Sequence, residues 1–289
     1  MLSSEARQVV MVVVAFAAGA ALAWVPVSST PLPFRATSTY PVWAFLIATL
    51  CGSCPLVWSH GRRALAQLPA RRPFIQEALA YGVLAVALIV TSLVVASVVY
   101  SRGRPVGTLP YLPARFDILF LAVVLAVAPS IMAMSRVGDA ARHGDVPAAD
   151  LVAWRAILQS QLAALGAVIA LSTLTTASFR TAVLAAYPGR ADDFSVAGVL
   201  LFGAWFTGIL ALVYVPPSER LRRNAQALVD QTFPIPDQFD GDWQQQLQGR
   251  RDLTSALRID ETSQNSIQNA LIIGGPLITS ALTLLIPPH

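Results

Sequence analysis

The chain reads as an all-α protein: a polytopic transmembrane helical bundle of about seven spans, with a short cytoplasmic helix-turn-helix segment before the last span. Three observations carry that reading. Seven apolar stretches of about 17–23 residues hold no charged residue, and each can cross about 30 Å of hydrocarbon at about 1.5 Å per residue. Hydrophobic residues make up 55 % of the 289 and charged residues 12 %, about half the usual charged share of a soluble domain. The charges that exist gather between the stretches rather than within them.

The stretches are Val9–Val25, Tyr40–Trp58, Ala78–Tyr100, Ile118–Ser135, Ile157–Ala177, Ser195–Val215 and Ala270–Ile286. The first follows Arg7 and ends in Ala21-Leu22-Ala23, a form shared with cleaved secretory signals. Its length and the following Trp24 favour an anchor. Ala15, Gly19 and Ala23 form a small-xxx-small ridge on it, a candidate helix-association surface for a second copy. Gly166 with Ala170, and Ala204 with Gly208, repeat that spacing in the fifth and sixth stretches. Tyr40 and Trp58 lie one membrane thickness apart, as do Tyr81 and Tyr100, which predicts two interfacial aromatic belts. Trp154 and Tyr214 are expected in the inner belt. Pro55, Pro129 and Gly274-Gly275-Pro276 predict kinks, and their positions do not pair up as in an inverted repeat.

The sixth stretch is followed by the one sizeable polar segment, Pro216–Asn269. The chain thus divides into a bundle of six spans (1–215), a cytoplasmic amphipathic segment (216–269) and a final span (270–289). A helix is predicted to start after Pro216-Pro217 and to stop at Phe233-Pro234-Ile235-Pro236. On it Leu221, Ala225, Leu228 and Val229 share one face, flanked by Arg220 and Arg222. That pattern suits a helix lying on the inner leaflet, its arginines on anionic head groups. Docking on the bundle's own loops is the alternative.

All 20 basic residues are Arg. The loop with Arg62, Arg63, Arg71 and Arg72 is the most basic short one, which predicts that it is cytoplasmic. Counting spans from it puts the N-terminus in the cytoplasm and the C-terminus in the periplasm, with the membrane a bacterial inner membrane. The pI near 9.5 reflects arginines beside membrane ends and predicts no nucleic-acid partner, since no basic face with interleaved aromatics occurs.

Chemistry is sparse. Cys51-Gly52-Ser53-Cys54 is a C-x-x-C pair, the spacing of redox-active thiols, but only these two Cys exist and no second pair can relay electrons. The string 136–145 gathers acids, His143 and glycines in a loop, and His60 and His143 lack metal-ligand spacing, so no metal is expected. No cofactor motif occurs. Intramembrane charge is missing, which argues against ion-coupled transport. Ser172, Thr173, Thr175, Thr176 and Ser178 offer a hydroxyl-lined path as a channel alternative. The function expected first is non-enzymatic: a self-associating membrane protein presenting residues 216–269 to a cytoplasmic partner or the inner leaflet. A channel, permeabilising effector or facilitator, and a thiol oxidoreductase using Cys51 and Cys54, are the alternatives.

Overall fold

The computed structural model describes residues 4–24, 32–69, 76, 112–142, 146–189, 196–234, 243–257, 271–275 and 278. These are helical throughout apart from turns. In chain order the helices are α1 (Ser4–Trp24), α2 (Leu32–Arg35), α3 (Tyr40–Gln67), α4 (Leu112–Ala140), α5 (Ala148–Ala186), α6 (Val196–Thr232) and α7 (Trp243–Ala256). The protein is a helical membrane bundle. Among the described residues five helices are long and apolar enough to cross a membrane, where the sequence predicts seven spans. Of the other two stretches, 78–100 lies outside the described residues, as does all of 270–286 except 271–275 and 278.

α3, α4, α5 and α6 pack around one another, and α1 runs along α3. Lipid tails are as apolar as leucine, so the spans gain little by hiding apolar surface from each other. What holds them is close contact between backbones. Glycine supplies that contact. A Cβ on Gly61 of α3 would lie 2.5 Å from the backbone nitrogen of Ser130 and 2.9 Å from the carbonyl carbon of Pro129. A Cβ on Gly19 of α1 would lie 2.9 Å from the Cα of Ala48 and 2.7 Å from the Cβ of Cys51. A Cβ on Gly166 of α5 would lie 2.5 Å from Ile272, which brings residues 271–275 against α5.

Of the ridge Ala15, Gly19, Ala23, Gly19 and Ala23 meet α3 of the same chain. Gly19 and Ala23 are buried, and the Tyr40 hydroxyl donates to the Ala23 carbonyl at 2.6 Å. The aromatic belts need a similar correction. Tyr40, Trp154 and Tyr214 are buried in protein, not set at a lipid interface, while Trp58 is exposed. Tyr40 joins Trp43, Phe34 of α2 and Phe179 of α5 in an edge-to-face cluster with ring centroids 5.3–5.9 Å apart around Phe34. That cluster closes the end of the bundle where α1 finishes and α3 begins.

The boundary at 215 is not a break. α6 runs 37 residues, about 55 Å, straight through Pro216 and Pro217. Two adjacent prolines remove two helical hydrogen bonds. They are outweighed by one continuous buried stripe, Leu210, Tyr214, Pro217, Leu221, Ala225 and Val229, recurring every three or four residues on both sides. Leu221 and Val229 are thus buried in the chain's own core, with Leu228 packed against it, and do not lie on a leaflet. Beyond the hydrocarbon, water is the alternative environment, and there each fully buried Leu or Val stabilises the docked helix by about 1.5–3 kcal/mol.

Replacing Gly61 with Ala forces its Cβ into α4's backbone, so thermal stability in detergent falls, by about 1–3 kcal/mol for an overpacked contact. Gly208 of α6, with nothing within 4 Å of its Cβ position, behaves oppositely. Gly208→Ala raises stability by about 0.5–1 kcal/mol, the usual gain in a helix interior. A Gly61→Ala variant that melts level with or above wild type contradicts the close α3–α4 contact.

Candidate functional site: the arginine-capped end of the bundle

The N-terminus of α1, the C-termini of α3, α4 and α6, and the N-terminus of α5 meet at one end. Gln8 of α1 donates to Ser59 of α3 at 3.0 Å and accepts from Arg63 at 2.7 Å. The last carbonyls of a helix have no partner inside it and carry its negative dipole end. Here they are answered from neighbouring helices. Arg136 of α4 donates to the Leu65 carbonyl of α3 at 3.2 Å. On α6, Arg220 donates to the Gly138 carbonyl at 3.3 Å and Asn224 to the Ala141 carbonyl at 2.6 Å, both at the end of α4. Arg220 and Asn224 lie one turn apart, so a single face of α6 covers that end. Gly138 permits it: a Cβ there would sit 3.2 Å from both Pro217 and Arg220.

The same device fixes α7. Arg250 donates to the Phe233 carbonyl at the end of α6 at 2.8 Å and pairs with Asp230. Gly249 lies over the Phe233 ring, where a Cβ would come within 2.6 Å. Arg155 of α5 then donates to the Leu257 carbonyl at the end of α7 at 3.1 Å. α7 fully buries none of its own residues, and these contacts, with Leu253 and Leu257 packed on the core, set its position.

Of the residues singled out in the sequence, Arg220, Leu221, Leu228 and Val229 come together here, on the docked face. Arg222 does not. It is exposed and pairs with Glu219, which Arg223 also engages, both at 3.2 Å. Such surface pairs contribute little. Charge counting misses Arg136, Asn224, Arg155 and Arg250 as caps. The available signal is the Arg220–Asn224 spacing beside Gly138.

Cys51 and Cys54 lie elsewhere, on α3 where α1 crosses it. Both are free thiols, and Cys54 Sγ donates to the Leu50 carbonyl at 3.3 Å. Gly52 between them receives the Phe16 side chain of α1. The C-G-S-C string thus serves a helix crossing. Four of the hydroxyls of α5, those of Ser172, Thr173, Thr175 and Thr176, each donate to the carbonyl four residues back at 2.8–3.0 Å. Among the described residues no group of His, Cys, Asp and Glu is placed to hold a metal.

Comparison with family models, curated proteins and solved structures finds no match to this chain.

Replacing Arg220 and Asn224 together with Ala uncaps α4 and lowers stability by on the order of 2 kcal/mol, the value of charge-assisted and neutral hydrogen bonds at a helix C-terminus. Trypsin then cuts faster at Arg222 and Arg223, because α6's lower half is freed. Arg222→Ala alone leaves both readouts near wild type, and an equal effect from it contradicts the capping role.

The double replacement of Cys51 and Cys54 with Ala leaves folding and any phenotype intact. A cellular disulfide revealed by alkylation, or a folded double variant without activity, overturns the packing role.

Proposed function

We propose that this is a non-enzymatic multi-pass protein of a bacterial inner membrane that holds a rigid cytoplasmic platform, the lower half of α6 with α7, for a protein partner. The observation that carries it is α7. A 14-residue helix is marginal on its own. Here three arginine contacts pin it while Gln244, Gln245, Gln248, Arg251 and Asp252 stay exposed. Fixing a polar helix without using its outer face is the arrangement of a presented surface. Sidedness follows from the positive-inside bias: Arg62, Arg63, Arg222, Arg223 and Arg251 sit exposed at this end and suit anionic head groups of the inner leaflet.

Self-association belongs to the same reading, but not through Gly19. The small ridge left exposed is Ala204 and Gly208 on α6, bordered by exposed Leu201 and Leu212.

The test uses the full chain in cells, on the Cys51→Ala, Cys54→Ala background. Single Cys residues are placed at Gln67 and Gln245, and at Ser38 near the opposite end, all three exposed. An impermeant maleimide in intact cells labels only the Ser38 position, and a photo-crosslinker at Gln248 yields a discrete protein adduct. Labelling at Gln245 in intact cells, or crosslinks to lipid alone, sinks the platform reading.

A further inference from the structure

Inside the membrane-spanning bundle a polar side chain is left unanswered. Gln161 of α5 is fully buried, and neither its amide nitrogen nor its carbonyl oxygen has a hydrogen-bond partner. It stands among Leu158, Leu162 and Leu165, which share one core with Ile131 and Met134 of α4 and Leu210 of α6. An amide in such surroundings costs far more unpaired than a hydrogen bond contributes when made.

Two further hydroxyls of the bundle are also buried without a partner, that of Ser130 on α4, which faces Gly61 of α3, and that of Thr207 on α6. Any helical Ser or Thr can donate to the carbonyl four residues back, and those of α5 do so. Ser130 and Thr207 do not use that option.

The chemistry of these groups selects the ligand. Each is neutral and can donate and accept. Among the described residues no charged side chain is buried, so neither a cation nor an anion finds a counter-charge. A small neutral molecule that both donates and accepts is what remains, and a buried water typically takes about three hydrogen bonds from such groups. We propose that Gln161 anchors a buried water in the core that α5 shares with α4 and α6. This inference stands apart from the platform reading.

X-ray radiolytic footprinting of the full chain in nanodiscs, in heavy-oxygen water, tests it, because radicals born from a bound water label the side chains around it. Leu158, Leu162 and Leu165 should be labelled, while Ile47 and Leu50 of the second core, equally buried, stay blank. In Gln161→Leu the labelling of Leu158, Leu162 and Leu165 should be lost and the melting temperature should stay level or fall. Wild-type labelling no stronger than at Ile47 and Leu50 overturns the proposal, whether or not the variant folds. So does labelling that persists in the variant, or a variant that melts higher, since a truly unpaired amide is relieved by leucine.

Discussion

Helix C-termini set the terms of this structure. A transmembrane helix that ends near the head groups leaves its last carbonyls unpaired, and the ends of α3, α4, α6 and α7 are each met by a side chain from a different helix. The donors form a chain of dependence: α4 holds α3, α6 holds α4, α7 holds α6, and α5 holds α7. Arginine suits the task, since its planar fork can reach a carbonyl while its stem packs along apolar neighbours. A sequence with no lysine is consistent with that demand.

At the other end the same need is met without charge. The Tyr40 hydroxyl caps α1 at Ala23, inside the ring cluster of Phe34, Trp43 and Phe179. A guanidinium there would lose its water to an aromatic core, whereas a phenol loses little. The two ends thus differ in character: one wet, charged and extended by α6 and α7, the other dry and plugged by α2.

Much of the bundle is legible from residues alone. Uncharged runs mark the spans, Phe233-Pro234 marks the end of α6, and Gly19 and Ala23 mark a close contact. What residues alone do not show is partnership. Gly19 shows that something approaches, not that Ala48 and Cys51 do. Pro216-Pro217 reads locally as a stop, yet the stripe from Leu210 to Val229 is continuous, and burial along the whole helix outweighs two lost hydrogen bonds. Arg220 counts as a topology charge because its carbonyl partner lies 82 residues away. Gln161 passes as one polar residue in a helix entering the cytoplasm, since nothing local distinguishes an exposed amide from a buried one.

The caps have a consequence for how the chain is made. Those of α3 and α4 come from segments synthesised long after the ends they cover, 71 and 82 residues later, while α7 must swing back to a residue translated 102 positions earlier. Ribosomes deliver the N-terminal helices first. During insertion the end of α3 is therefore covered as soon as α4 arrives, whereas the end of α4 stays open, tended by water and head groups, until α6 is made. A nascent chain stalled before α6 is a packed group of helices with one end still uncapped.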